Sequence, residues 1–444
     1  MADRDTDRLK AERRAAALHR RKSIPSAKKS GWAPNPDEIR GLILNNRYRI
    51  RKQINQGSFG LVYSARDQLT WEKVAVKLQP HHLNAANVAK ESQIYGALCE
   101  LQRSRNTNGT HRSEAAPRLH WTGDIRFQDM DYSVMVLDQL GDSLEERLES
   151  QQRRLSVGTV ANIGINLVNL LETFHSINWL HRDIKPDNFL TDRGSGSRLY
   201  IIDFGLAKQY RKGPNDHAPR TEGHGLVGTA RYCSINTHRG VAQSRRDDLE
   251  AVGYLLSYLL FGQLPWMGFP IADKMTKYRK IHEKKEQTQP HELFVHMPVE
   301  FVQYLKYVRQ LKYAETPDYA FCRALLQRVV NALKPTDPLR QYRLLFDWQV
   351  AKVRRALANS QSKQQQKLAD RESQQMPMLD TEDEATPPIE PSARSLRPRR
   401  HTRGAKLQQQ PFRGDSTTAS ITGLPGSSSY PHQHGHLSSS LFTH

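Results

Sequence analysis

Three short runs, 48–55, 61–66 and 73–78, alternate apolar and polar residues and are separated by glycine and polar turns. Alternation at period two puts every second side chain on one face of a strand, so these runs predict an antiparallel meander. The period then changes. Val88, Ile94, Leu98 and Leu101 recur at helical spacing, which predicts a helix over 88–101. The stretch 103–116 is polar and patternless and reads as an exposed insertion, after which 132–138 reads again as a strand. Beyond Gly141 the pattern is mostly helical, over 144–150, 157–176, 246–261, 272–288, 298–312 and 319–333. A small strand-rich lobe followed by a larger helical one implies two lobes with a cleft between them.

The flanks differ in texture. Residues 1–43 read as a basic, weakly ordered arm in which a short helix over 8–22 is interrupted by Ser23-Ile24-Pro25 and Pro34-Asn35-Pro36. From 351 to 444 the chain is rich in Gln, Ser, Pro and Arg. It has too few large apolar residues to offset the entropy of ordering, and is expected to be disordered. That leaves 44–350 as the folded part.

Composition adds charge and compartment. Apolar residues are 37% of the 444, and 66 Lys and Arg against 46 Asp and Glu give a net charge of +20. Residues 1–40 hold eleven basic and six acidic side chains and 351–444 hold thirteen and eight, so each flank contributes +5 and the middle +10. The folded part should therefore attract anionic partners, whose kind charge alone does not decide. Cys99, Cys233 and Cys322 are too far apart, and odd in number, for a disulfide framework or a zinc site. Met1–Lys10 is charged, unlike a secretory signal, and the most apolar stretch, 251–261, is well short of the ~18 residues that span a bilayer. A soluble protein of the cytoplasm, the nucleus or both is expected.

The strongest chemical signal is His181-Arg182-Asp183-Ile184-Lys185-Pro186-Asp187-Asn188. An Asp followed five positions on by an Asn supplies an acceptor for a hydroxyl proton, Asp183, and an oxygen ligand for Mg²⁺, Asn188, while Lys185 between them would meet a γ-phosphate. Fifteen residues further, Asp203-Phe204-Gly205 ends an apolar strand, where a carboxylate can chelate Mg²⁺ on the β- and γ-phosphates. Upstream, Lys77 of Val74-Ala75-Val76-Lys77 would hold the α- and β-phosphates and pair with a helix Glu, best Glu91. Asn55-Gln56-Gly57-Ser58-Phe59-Gly60-Leu61-Val62 reads as a nucleotide loop whose glycines let backbone approach phosphate. Its first glycine is replaced by Asn55, a residue that tolerates positive φ.

In this order the pieces resemble a eukaryotic protein kinase. No Ala-Pro-Glu follows Asp203. The chain reads Gly228-Thr229-Ala230-Arg231-Tyr232-Cys233-Ser234-Ile235-Asn236, then Ser244-Arg245-Arg246-Asp247-Asp248-Leu249-Glu250 and Leu264-Pro265-Trp266-Met267-Gly268. With Asp187-Asn188-Phe189-Leu190 and Phe346-Asp347-Trp348, this is similar to the casein kinase 1 family over about residues 44–350. The resemblance implies an α+β, bilobal kinase fold: a small antiparallel β lobe with one helix (44–138) and a large, mainly α lobe (141–350). Mg-ATP would lie between them. Residues 136–140 would form the hinge, with Leu137 as gatekeeper and the backbone of Asp138 and Leu140 on adenine. Ile54, Val62, Ala75, Leu190 and Ile202 would sandwich the base, and Asp248 would brace the catalytic loop. Lys185 and Thr229 fit serine/threonine specificity.

The resemblance also implies protein substrates that are acidic or already phosphorylated, basal activity without an activation-loop phosphate, and a monomer. Arg231, Lys277 and the backbone of Gly268 would form one anion site. Arg182, Lys208 and His224, which stands where the family has a lysine, would form a second. A catalytically dead scaffold that binds phosphoproteins is the rival reading, opposed by the presence of Lys77, Glu91, Asp183, Asn188 and Asp203 together. The basic clusters at 20–29 and 397–403 are dense enough for non-specific nucleic-acid contact or nuclear import, though nearly free of aromatics for stacking. Tail hydroxyls at Thr386, Ser416 and 427–429 would, if autophosphorylated, compete for the basic sites.

Overall fold

The computed structural model describes residues 36–57, 60–107, 115–213, 216–333 and 345–374. The predicted arm before residue 36, the tail after residue 374, and Ser58 and Phe59 of the nucleotide loop lie outside the described residues.

A six-stranded sheet in the order β1-β2-β3-β4-β6-β5 forms the small lobe, with every neighbouring pair antiparallel. Its strands are β1 (Ile43–Leu44), β2 (Tyr48–Gly57), β3 (Gly60–Asp67), β4 (Lys73–Pro80), β5 (Leu119–Phe127) and β6 (Met130–Asp138). The period-two runs predicted β2, β3, β4 and β6. They missed β5, whose inward and outward positions are both only half-buried or exposed, so its alternation carries little hydrophobic contrast. One face of the sheet packs Tyr48, Ile50, Tyr63, Val74, Val76 and Val134 against Ile39 of a single helical turn, α1 (Pro36–Ile39). The folded part thus begins earlier than residue 44. The other face carries Val62, Ala75 and Lys77, with Val62 directly opposite Lys77 in the register.

Helix α2 (His81–Thr107) starts seven residues before its apolar repeat, because Asn and Ala sustain a helix without marking a face. Val88, Ile94, Tyr95 and Leu98 join the core of the large lobe. The stretch expected to be an exposed insertion is helical to Thr107, and its end is interior. Ala115 and Ala116 are buried, and the Ala115 carbonyl accepts from Ile201 N at 2.9 Å. Small residues hide such a site from a hydrophobicity reading.

The large lobe is built on α3 (Leu144–Ser150), α4 (Val157–Ser176), α5 (Ile235–His238), α6 (Arg245–Phe261), α7 (Lys274–Gln287), α8 (Pro290–Leu293), α9 (Val299–Gln310) and α10 (Tyr319–Ala332). Ser143 and Ser156 cap α3 and α4, accepting from the amides of Glu146 and Thr159. Helix α6 is buried almost throughout and ends on Gly262 at φ +72°. A Cβ there would stand 2.4 Å from the Arg153 carbonyl oxygen, so only glycine closes this helix. Two short antiparallel pairs, β7 (Trp179–Leu180) with β10 (Lys208–Gln209) and β8 (Phe189–Thr191) with β9 (Leu199–Ile201), frame the loop between α4 and the cleft.

The chain then returns on itself. Asp347 accepts from Ser156 N and Oγ at 2.7 Å each, and Trp348 donates to the Gly196 carbonyl at 2.9 Å while stacking on Phe346 at 4.6 Å. Helix α11 (Asp347–Gln374) continues well past residue 351, where a disordered tail was expected. Its Ala, Gln, Lys, Arg and Leu residues are good helix formers, with no Gly or Pro to stop them, and from Lys352 to Lys367 the helix is exposed all round. Packing holds its first turn and propensity the rest. Trp348→Ala should therefore lower the stability by about 3 kcal/mol, whereas ending the chain after Lys367 should change it by less than about 0.5 kcal/mol. Denaturant unfolding of the two variants checks both values.

Candidate active site

The site is organised by one carboxylate at the start of α6. Asp248 is 2% exposed; its Oδ2 accepts from His181 N at 2.8 Å and His175 Nε2 at 3.0 Å, and its Oδ1 from Arg182 N at 2.8 Å. Burial opposes its charge, yet the histidine and backbone donors hold the carboxyl below the ordinary aspartate range. These bonds fix Arg182 at φ +68°, a conformation an L residue adopts only where its surroundings impose it. Asp248 was expected to brace this loop; His175, its second support, had no signal beyond its place on a helix face.

Three groups converge on Asp183. Lys185 Nζ donates to Oδ2 at 2.7 Å, Thr229 Oγ1 donates to Oδ1 at 2.7 Å, and Asn188 Nδ2 donates to the main-chain carbonyl at 2.8 Å. A Cβ at Gly228 (φ +92°) would meet the Arg182 carbonyl oxygen at 2.2 Å, so glycine lets the segment carrying Thr229 come this close. Burial works against the Lys185 ammonium, but Asp183 outweighs it and raises its pKa.

Across the cleft, Lys77 Nζ donates to both oxygens of Glu91, at 2.9 and 2.8 Å, and to Asp203 Oδ1 at 3.1 Å. Burial raises the Glu91 carboxyl, and it works against the Lys77 ammonium, which Asp203 and Glu91 nevertheless hold above the ordinary lysine value. Asp203 is held low: burial opposes its charge, and Lys77 with Lys185 overcomes it. Asp203 adopts φ +65°, a second strained position, and Phe204 beside it is fully buried against Tyr95, Phe174 and His181. Lys90 donates to the Gly205 carbonyl at 2.6 Å, a tie between α2 and this turn that the sequence did not signal.

The oxygens suit a hard divalent cation. Asn188 spends its amide nitrogen on Asp183, which leaves Oδ1 as a ligand atom, and Asp203 keeps Oδ2 beyond its bond to Lys77. Two such oxygen donors would be the protein share of a Mg²⁺ site, whose remaining ligands would be phosphate and water.

The expected base slot is drawn by partial exposure. Val62, Ala75, Leu190 and Ile202 are half-buried among buried neighbours, and Ile54 is 42% exposed. The Lys77–Asp203 pair ties the two groups together, because Val62 lies opposite Lys77 and Ile202 adjoins Asp203. Leu137 is buried opposite Ala75. Asp138 N donates to the Arg118 carbonyl at 3.0 Å, and its carboxylate, despite burial, is held down to about 2 by His120 and Arg118. Leu140 enters no backbone hydrogen bond among the described residues, so its N–H and C=O are left for a ligand. Ser64 Oγ to Gln139 Oε1 at 2.8 Å fastens the hinge to β3.

The nucleotide loop differs from expectation in two particulars. Asn55 does not occupy the left-handed region; it pairs with Val62 beside a register shift in β2, and its Oδ1 accepts from Gln56 N at 2.7 Å. Gly60 is required by strand packing, since a Cβ would lie 2.5 Å from the Leu78 carbonyl oxygen. Gln56 and Gly57 complete the end of β2.

The basic residues fall into two groups. Arg231 lies over the rings of Tyr232 and Tyr258 at 5.7 and 5.8 Å, Gly268 has φ +78° with open space at its Cβ position, and Lys277 is exposed on the first turn of α7. In the second group, Arg182 Nε donates to the Leu206 carbonyl at 2.7 Å and Lys208 pairs with Leu180. His224 is engaged elsewhere, by Thr221 Oγ1 at 2.7 Å and the Gly240 carbonyl at 2.9 Å.

Residues 48–331 match the family model of the protein kinase domain. The chain belongs to the protein kinase family. The match spans strands β2 to β6 of the sheet, the catalytic loop and the helices into α10, and it gives the cleft its general chemistry: ATP as phosphoryl donor and protein as acceptor. In this kinase the ion pair, the loop carboxylate and the strand-end carboxylate are assembled together. Asp203→Asn should cost at least about 100-fold in phosphoryl transfer, with a melting temperature within a few degrees of the parent. A filter assay with labelled ATP and a melting curve check the pair of outcomes.

Proposed function

We propose that this kinase is of the casein kinase 1 type, transferring the γ-phosphoryl of ATP to serine or threonine in acidic or already phosphorylated protein segments. The observation that carries the reading is that Lys185 and Thr229 both bond Asp183 while Lys77, Glu91 and Asp203 are already paired. In this geometry Asp183 takes the proton of a substrate hydroxyl as its oxygen bonds to the γ-phosphorus and the bond to the bridging oxygen breaks. Lys185 and Lys77 would hold phosphate oxygens, and the Asp183 partners hold its carboxylate toward the acceptor. Asn188 and Asp203 would hold Mg²⁺, which when bound neutralises charge on the β- and γ-phosphates. No activation-segment phosphate is needed to form these contacts, which supports basal activity.

The substrate preference rests on Arg231, Lys277 and Gly268. Arg231 lies over aromatic faces and spends one long hydrogen bond on the Tyr232 hydroxyl at 3.5 Å, which leaves further donors for an anion, and a charge-assisted hydrogen bond is roughly twice as strong as a neutral one. Arg182, tied to the Leu206 carbonyl, and Lys208, paired with Leu180 on the neighbouring strand, support a second, weaker site, in which His224 would have to leave Thr221. Acidic segments would be drawn to the +10 of the folded part.

The test is phosphate transfer to a peptide with a phosphoserine upstream of the acceptor, beside the unphosphorylated peptide and the Asp203→Asn protein. Transfer that needs Asp203 and is several-fold better with the primed peptide is expected. Arg231→Ala with Lys277→Ala should remove most of that preference without lowering transfer to the unprimed peptide. A folded protein that binds the phosphopeptide and transfers nothing would be the scaffold instead.

A further inference from the structure

Between Thr229 and Ile235 the chain runs past the catalytic loop with no strand partner, and helix α5 takes over only at Ile235. Side chains from distant parts of the large lobe bond its backbone. Lys285 Nζ donates to the carbonyls of Ala230 at 2.9 Å and Cys233 at 2.5 Å, and Trp266 Nε1 donates to that of Arg231 at 2.7 Å. Ile235 N donates to Glu250 Oε1 at 3.0 Å, and Ser234 Oγ to Asp247 Oδ1 at 2.6 Å.

Lys285 is the unusual member. It stands on helix α7, where only it and Ile281 are buried, is 0% exposed itself, and lies over the rings of Tyr254 and Trp266 at 4.9 and 5.3 Å. Among the described residues no carboxylate lies within 4.0 Å of its ammonium. Burying an ammonium without a counter-ion is costly, and burial lowers its pKa to about 8. A position that only needed filling would take leucine or methionine, so the charge is explained by its two carbonyls, three residues apart, which one tetrahedral donor bridges. A small cavity lined by Asp183, Thr229, Cys233, Ser234 and Asp248 lies between this turn and the catalytic loop; besides Lys285, the turn is tied by Tyr232 N and Cys233 N to the Thr229 carbonyl at 2.9 and 3.0 Å and by His238 Nε2 to the Ala230 carbonyl at 3.3 Å. The turn begins at Thr229, whose hydroxyl bonds Asp183.

We propose that Lys285 is a positioning residue for the protein substrate: by clamping the Ala230 and Cys233 carbonyls it holds the substrate-facing turn against Asp183, in place of the absent Ala-Pro-Glu anchor. The inference rests on the phosphotransfer reading above. It separates the two sides of the cleft, because the Lys285 contacts touch the segment of Thr229 and Arg231 and none of the nucleotide contacts of Lys77, Asn188 or Asp203.

The test uses the full-length chain with Lys285→Met and with Lys285→Gln, which keeps a neutral donor of similar reach. Steady-state kinetics are measured against peptide and against ATP, with amide hydrogen exchange over residues 229–236. For Lys285→Met the expected result is a peptide KM raised about tenfold, an ATP KM within twofold of the parent, and faster exchange confined to the turn, with Lys285→Gln intermediate. Unchanged peptide kinetics, equal losses for peptide and ATP, or failure of both variants to fold would overturn the proposal. Should the parent protein transfer no phosphate, the phosphotransfer reading fails on its own. The exchange measurement still decides the clamp: unchanged exchange in Lys285→Met means the turn is held without it.

Discussion

A carboxylate buried at the N-terminal end of the most buried helix is what the rest of the cleft depends on. Asp248 spends its two oxygens on two consecutive amides of the catalytic loop and on His175. The loop it grips is strained at Arg182 and has no regular ladder of its own, so without these bonds the residues that follow would lack a fixed direction. Leaving water is expensive for such a group, and the three donors compensate only because α4, α6 and the loop are all in place. The site is therefore a property of the whole large lobe, and core packing around α6 becomes geometry at Asp183.

From that anchor the charges run in alternation. Glu91, Lys77, Asp203, Lys185 and Asp183 form a string of negative and positive groups that crosses from α2 to the catalytic loop, with bonds of 3.1 Å or less at Glu91–Lys77, Lys77–Asp203 and Lys185–Asp183. Each cation is shared between carboxylates, which is why burial does not discharge them. Such a string is pre-arranged for a polyanion with a divalent cation, because the lysines can turn to phosphate oxygens while the carboxylates turn to the metal. Electrostatic preorganisation of this kind, rather than covalent chemistry, is the means by which phosphoryl transfer is catalysed.

Much of this was legible because local sequence carries it. The helix over 157–176 was predicted to the residue, and the structure shows it starting at the capping Ser156; the strands over Val62, Ala75 and Lys77 were predicted by alternation. Motif spacing singled out Asp183, Asn188, Asp203 and Lys77, residues that the fold brings to one cleft. What escaped depends on partners far along the chain. Strand β5 is half-exposed on both faces, Ala115 and Ala116 are interior only because Ile201 passes beside them, and Gly60 is fixed by Leu78 across a strand pair. The helical start of the tail was lost for the opposite reason: propensity sustains it with no buried face for a periodicity to reveal.

The same distinction bears on control. Lys285 and Ala230 are 55 residues apart, and Ile235 and Glu250 are 15 apart, so no local pattern shows that the segment between them is wired into the core. A segment held by a phosphate is released when the phosphate leaves. A segment held by a buried ammonium, an indole and two carboxylates has no removable member. On the proposed reading, the cost of burying those charges is met once, at folding, and the cleft afterwards stays assembled. Control must then act from outside the segment, by competition for the basic residues that face the substrate or by limiting which proteins reach them.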